Sequence, residues 1–124
     1  MKNKRFLGAL ATDSVLVTAF AALGRSSHAH TLDVTGIAQT AWPFLAGMAL
    51  GHLAVRSWHA PSRLWPEGVM VWGTTVVGGM LLRTLTGAGT ATSFVIVASS
   101  FLALFLLGWR GVAALLARRS AKRA

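Results

Sequence analysis

Four long apolar segments, separated by polar or glycine-rich stretches, make up most of the chain. They cover about residues 6–23, 37–55, 65–85 and 91–109, and only Asp13 interrupts the first of them. A helix needs about 20 mostly apolar residues to cross a bilayer. Each segment is therefore predicted to be a membrane-spanning helix, and the fourth is expected to continue as helix towards residue 117.

The connections between these segments are short. Polar residues at 24–36 and 56–68 separate the first three segments, and TGAGT at 86–90 predicts a tight turn before the fourth. Short connections make neighbouring helices antiparallel. The predicted fold is an all-α, integral membrane four-helix bundle with up-down-up-down topology. It forms one domain over residues 1–124, with basic tails at 1–5 and 118–124.

The composition supports a membrane protein and excludes several kinds of chemistry. Hydrophobic residues make up 54% of the chain and charged residues only 12%, whereas soluble domains average about 25% charged residues. The absence of cysteine excludes disulfides, thiolate metal sites and cysteine nucleophiles. With only three acidic residues, catalysis by paired carboxylates is not expected.

The net charge of +9 is concentrated near the ends of the chain and of the apolar segments. This distribution argues against nucleic-acid binding, which needs a basic face. With the N-terminus inside, ten basic residues flank the inner side and two the outer side, so both termini are predicted to be cytoplasmic. A cleaved signal peptide is the alternative for the N-terminus, but the apolar run is long and contains Asp13. The ten inner residues are Lys2, Lys4, Arg5, Arg56, Arg63, Arg110, Arg118, Arg119, Lys122 and Arg123.

Asp13 is the most informative single residue, because it lies about 12 Å inside the first span at 1.5 Å per residue. A charged Asp at that depth costs about 2.5–3.5 kcal/mol, so it is expected to face the bundle interior. Arg110 at the cytoplasmic end of the fourth span is the candidate partner, and the two form a candidate intramembrane polar site. A proton or cation relay and a buried packing anchor remain open, as does an Arg110 that extends to the membrane surface without a partner.

A second group of charges is predicted at the outer rim of the bundle, where Arg25 and Arg83 lie with Asp33. They form either a weak surface ion pair or a binding site for a phosphate or carboxylate. His28 and His30 lie near Asp33, but such loose spacing is common by chance. We therefore expect no metal site and no cofactor.

Small residues recur at four-residue spacing in the second and third spans. Gly47 and Gly51 form a GxxxG pair, and Thr75 and Gly79 repeat the spacing. Such residues let helices approach closely within a membrane. Packing within one chain is the preferred interpretation, and a dimer contact is the alternative.

These motifs together resemble domain-of-unknown-function family 3054, a group of small bacterial and haloarchaeal membrane proteins. The resemblance covers about residues 10–111. It implies four spans and a bacterial inner membrane, but it brings no activity, substrate or site residues. The residues that carry it are Asp13, Gly24-Arg25, AWPF at 41–44 with Gly47, Pro61, VWGT at 71–74, GMLLR at 79–83 and GWR at 108–110.

Three classes of function fit the sequence. The preferred one is a membrane-embedded partner or accessory subunit, which contacts the bilayer and either another membrane protein or a second copy of itself. The alternative is a small oligomeric ion or solute transporter that uses Asp13, and the third is an enzyme or binder acting on a lipid-linked phosphate. We find no Ser–His–Asp order, phosphate-binding glycine loop or HExxH motif, so we expect no enzyme.

Overall fold

The computed structural model describes residues 2–27, 34–87 and 92–123, and these residues form four helices and no strand. The predicted all-α fold is therefore confirmed. The fourth of these helices runs continuously through three parts: Thr92–Leu102, a π-helical turn at Ala103–Leu107, and Gly108–Arg123. The helices are α1 at Lys2–Ser27, α2 at Val34–Ala54, α3 at Val69–Leu85, α4 at Thr92–Leu102 and α5 at Gly108–Arg123.

Three of these helices are long and apolar enough to cross a membrane: Lys4–Gly24, Leu64–Leu85 and Thr92–Ser120. The second helix does not reach the same hydropathy. It contains Gln39 and His52, and it contacts both α1 and α3. A helix that packs against other helices exposes less of its surface to lipid, so it can carry more polar residues.

The helix bounds extend beyond the predicted spans at both ends of the chain. The first helix begins at Lys2 and the last ends at Arg123, so the basic residues predicted as tails lie within helices. The fourth apolar span has 29 residues, which is about 44 Å at 1.5 Å per residue against a hydrocarbon core of about 30 Å. The first predicted connection, 24–36, is too long, because residues 24–27 lie in α1 and residues 34–36 in α2. Residues 28–33 of that connection and residues 88–90 of the predicted turn at 86–90 lie outside the described residues.

The connection between α2 and α3 is compact and contains two short helical turns. A 3-10 helix covers Ser57–His59, and a π-helical turn covers Leu64–Gly68. Trp65 within that turn has extended backbone angles, φ −126° and ψ 133°, as is typical of a residue before proline. The regular helix α3 begins after this turn, at Val69.

The closest helix contact is between α2 and α3, where small residues face each other. A Cβ atom added at Gly47 would lie 2.6 Å from the Thr74 carbonyl oxygen, and one at Gly78 would lie 2.9 Å from the Gly47 Cα. Gly51 packs directly against the Thr74 side chain. The small residues at 47 and 51 thus serve helix packing within one chain.

The apolar core next to this contact contains residues from all four helices. Gly79 leaves room for the ring of Phe44, which is fully buried and meets Phe20 of α1 edge-on with ring centres 5.3 Å apart. Thr75 is also buried, and its hydroxyl donates to the Val71 carbonyl oxygen at 2.6 Å. The hydroxyl is thus satisfied by its own helix, and its methyl group is left to pack.

Candidate functional site

Asp13 is fully buried between the first, second and fourth helices. Its carboxylate is surrounded by hydrogen-bond donors from α2 and α5, near the end of the bundle where α1 begins. A buried carboxylate is costly unless donors and an opposite charge replace the water it has lost. The neighbouring side chains supply both.

Arg110 is the charged partner of Asp13, and it is also fully buried. Two parallel hydrogen bonds join the side chains, from Nη1 to Oδ1 at 3.0 Å and from Nη2 to Oδ2 at 2.7 Å. This bidentate geometry is the strongest form of an arginine–carboxylate pair. Arg110 also donates to the backbone, from Nε to the Pro61 oxygen at 3.1 Å and from Nη1 to the Leu106 oxygen at 2.9 Å.

Trp109 and His52 complete the hydrogen bonding of the carboxylate. The Trp109 indole N–H donates to Oδ1 at 2.8 Å, and His52 Nε2 lies 2.9 Å from Oδ2. Because an ionised carboxylate only accepts hydrogen bonds, we assign the Nε2 proton to His52. Each carboxylate oxygen therefore accepts two hydrogen bonds.

Ser57 extends this cluster into the connection after α2. Its hydroxyl hydrogen-bonds to His52 Nδ1, and the side chain is fully buried. The chain of contacts from hydroxyl to imidazole to carboxylate resembles that of a nucleophilic triad, but the triad serine faces Nε2 rather than Nδ1. Since Ser57 is buried and the carboxylate is shared with Arg110, the arrangement favours a structural role. Sequence reasoning missed this arrangement.

Gly68, just before α3, makes room for the Arg110 side chain. A Cβ atom at this position would lie 2.7 Å from Arg110 Cδ and 3.2 Å from the Arg63 carbonyl oxygen. The guanidinium of Arg110 also stacks on the Trp109 ring, with its central carbon 4.5 Å from the ring centre. Arg110 is thus held in one position by hydrogen bonds, by the indole ring and by the α3 backbone.

The cluster connects four parts of the fold at one end of the bundle. Asp13 belongs to α1, His52 to α2 and Arg110 to α5, while Pro61 lies in the connection between α2 and α3. We call Asp13, His52, Ser57, Trp109 and Arg110 the carboxylate cluster. Its contacts join these elements through buried hydrogen bonds, and moving one element would leave buried polar atoms of the cluster without partners.

Of the predicted outer-rim group, only the Arg83 side chain belongs to the part of the chain that the structure describes. The guanidinium of Arg83 lies over the Phe94 ring, 4.4 Å from its centre, which is a cation–π contact. Asp33 and the two histidines near it lie outside the described residues, as does the side chain of Arg25. Among the described residues, no group of three or more His, Cys, Asp or Glu side chains could hold a metal ion.

The sequence identified two members of the carboxylate cluster and missed the other three. The structure brings Asp13 and Arg110 together. Sequence reasoning assigned neither His52 nor Trp109 to this site. The polar nitrogens of these two side chains could have indicated that they belong to the site, since a polar group within a span is expected to face the bundle interior. Ser57, in a loop, offered no such signal.

The fold and the site define a class of protein: an all-helical chain with three helices able to span a membrane and a buried, fully hydrogen-bonded ion pair between its helices. Residues 10–113 match the family described as "Protein of unknown function (DUF3054)", and the chain belongs to this family. Neither a curated protein nor a solved structure matches the chain significantly.

Proposed function

We propose that the chain is a four-span protein of a bacterial inner membrane, with both termini on the cytoplasmic side. The three apolar helices support insertion, and α2 would insert as part of the bundle because it contacts α1 and α3. The bias of basic residues towards one side supports the orientation. Tags on both termini should be protected from external protease in intact cells, and a digested C-terminal tag would contradict the four-span topology.

We further propose that the protein acts as a membrane-embedded accessory subunit that docks on another membrane protein through its fourth helix. The observation that carries this proposal is the outward face of α4 and the π-helical turn that follows it. This face bears Ser93, Val97, Ser100 and Leu104 at spacings of four, three and four residues. All four side chains are exposed. Hydroxyl groups gain nothing from lipid tails, whereas serine is enriched where membrane helices pack together.

The opposite face of the same helix explains how this surface would be held in place. Ala98, Leu102 and Leu106 are fully buried against the bundle, and Arg110 then joins the helix to Asp13. A rigid helix presents its outward face with little loss of conformational freedom on binding. The buried and satisfied carboxylate therefore supports an anchor for helix packing, one of the two roles that the sequence left open.

Site-directed crosslinking tests the docking surface directly, because the chain contains no cysteine of its own. Ser100→Cys, labelled through its thiol with a maleimide–benzophenone reagent, should on illumination crosslink in native membranes to C–H bonds of a second chain. Val77→Cys on α3, which is 59% exposed, is the matched control on an outward face of another helix. We expect a discrete crosslinked product for position 100 and none for position 77.

The identity of the product separates the two leading functions. A crosslink to a different protein supports the accessory subunit, and mass spectrometry of the band would name that protein. A crosslink to a second copy of the same chain favours the oligomeric transporter instead. No product at position 100, or equal products at both positions, would contradict docking through this face.

The transporter remains the second candidate because the carboxylate cluster places ionisable groups inside a span. His52 and Asp13 are in direct contact there, and such residues often mark ion pathways. Purified protein in liposomes would then carry a proton or cation flux above that of empty liposomes. Asp13→Asn should abolish the flux, and a wild-type flux equal to the background would remove this candidate.

A further inference from the structure

A groove with a volume of about 370 Å³ opens at the end of the bundle where α1 begins. The start of α1, the connection between α2 and α3, and α5 form its walls. Ligand pockets in proteins are commonly about 300–1,000 Å³, so the groove is large enough for a small polar group. It is separate from the carboxylate cluster, whose side chains do not line it.

Two arginines from different parts of the chain line this groove. Arg5 comes from α1 and Arg63 from the connection before α3, and both are exposed. Arg63 forms a loose ion pair with the nearly buried Glu67, at 3.8 Å from Nη1 to Oε2, which is longer than a hydrogen bond. The Arg63 side chain is 60% exposed, so its N–H donors are accessible to a ligand. His59 and the hydroxyl-bearing Ser62 also line the groove.

The remaining wall is apolar and consists of small residues. Ala113, Ala114 and Ala117 of α5 contribute only methyl groups to it. The groove therefore combines cationic groups on two sides with an apolar floor, and a phosphate that carries an apolar substituent would satisfy both. Guanidinium groups bind phosphate oxygens through paired N–H donors.

The groove lies at the depth of lipid headgroups if the helices insert as proposed above. Arg5 directly precedes the first apolar segment, and the exposed Trp65 near the start of the third span has a preferred location at the interface. Basic pockets between helices on the cytoplasmic side bind anionic headgroups. The groove wall at Pro61 is also fixed, because its carbonyl oxygen accepts a hydrogen bond from Arg110 Nε.

We propose that this groove binds a phosphate group through Arg5 and Arg63. The phosphate is either that of an anionic phospholipid in the cytoplasmic leaflet or a soluble phosphate, and both present the same oxygens to the arginines. The lipid as source rests on the membrane insertion proposed above. The site itself rests only on the contacts of the described residues.

Native mass spectrometry of the purified protein tests the site with a defined probe. The protein is reconstituted in phosphatidylcholine nanodiscs with and without phosphatidylglycerol, released, and examined for retained phosphatidylglycerol. The double variant Arg5→Gln, Arg63→Gln should bind this lipid about 100-fold more weakly, since each arginine gives up a charge-assisted hydrogen bond to the phosphate that contributes about tenfold or more. The matched control removes two charges outside the groove, Arg118→Gln with Arg119→Gln, and should retain the lipid.

Two further measurements separate the possible outcomes. Ala114→Leu keeps every charge but fills the groove, and it should also reduce lipid retention. Inorganic phosphate added to the phosphatidylcholine nanodiscs should leave the thermal stability unchanged if the ligand is a lipid. A stabilisation that depends on Arg5 and Arg63 would support the site and assign it to a soluble phosphate.

The proposal is overturned if both double variants lose the lipid equally, because the attraction would then be a general effect of the basic helix ends. It is also overturned if neither phosphatidylglycerol nor phosphate binds to the wild type more tightly than to the groove variant. Flotation of the protein with liposomes measures insertion independently. A protein that fails to float contradicts the proposed membrane function, whereas one that floats without binding contradicts only the groove.

Discussion

Replacing Asp13 by asparagine should strongly destabilise the bundle, because the change removes one charge from a buried ion pair and leaves the other in place. The carboxylate accepts four hydrogen bonds: two from Arg110, one from Trp109 and one from His52. An asparagine with its oxygen at the Oδ1 position keeps the bonds from Trp109 and Arg110 Nη1. Its amide nitrogen then faces Arg110 Nη2 and His52 Nε2, which are themselves donors.

The expected loss follows from these contacts. Two hydrogen bonds to a charged group are lost, at about 1.5–3 kcal/mol each, and Arg110 remains buried without its counter-charge. Breaking a buried ion pair by removing one partner costs about 3–5 kcal/mol. The lost hydrogen bonds and the broken ion pair therefore lead to similar estimates of the lost stability. Asp13→Asn should therefore reduce the free energy of unfolding by about 3–5 kcal/mol.

Equilibrium unfolding by SDS in mixed micelles, followed by far-UV circular dichroism, measures this loss. Arg118→Gln, an exposed change on α5, is the control and should remain within about 0.5 kcal/mol of the wild type. The double variant Asp13→Leu, Arg110→Met should lose less than the sum of its single changes, with a coupling energy of about 2 kcal/mol or more. If Asp13→Asn stays within about 0.5 kcal/mol of the wild type, the carboxylate cluster does not hold the helices together.

Three smaller changes test other contacts with the same unfolding measurement. Gly68→Ala should cost about 1–3 kcal/mol because its methyl group would displace the immobilised Arg110 side chain. The control Gly73→Ala, whose methyl group would meet nothing within 4 Å, should be neutral or stabilising. Equal effects of the two changes would contradict this role of Gly68. Gly47→Ala should cost a similar amount by separating α2 from α3, and an unchanged stability would show that the helices do not approach so closely. Trp109→Phe keeps an aromatic ring but loses one donor to the carboxylate, and should cost about 1.5–3 kcal/mol; no loss would mean that the indole N–H is not bound there.

The positions of the helices could be read from the sequence with good accuracy. Apolar runs of the right length predicted four helices, and each predicted span overlaps a helix of the structure. The predicted ends of the helices were less accurate, because polar residues at a helix end carry no periodic signal. The basic residues at both ends of the chain continue as helix, from Lys2 in α1 and up to Arg123 in α5. The lower hydropathy of α2 was visible in the sequence, but its cause is the packing of this helix against α1 and α3.

The partners of Asp13 could be predicted only in part. Arg110 was found because a buried charge needs an opposite charge at a similar depth, and few basic residues satisfy that condition. His52 and Trp109 combine large rings with one or two polar nitrogens, so their direction around the helix decides whether they face Asp13 or lipid. That direction depends on the rotation of α2 and α5, which the π-helical turn at Ala103–Leu107 alters in the fourth helix.

The order of residues along the chain is enough to predict apolar helices and an Asp13 that faces the bundle interior, because both follow from transfer free energies of individual residues. The tertiary structure decided which donors meet the carboxylate and where Gly68 gives Arg110 its space. It also brought Arg5 and Arg63 to one groove although 58 positions separate them along the chain (63 minus 5). Such contacts depend on helix rotation and on the path of the connections, which arise from the packing of the whole bundle.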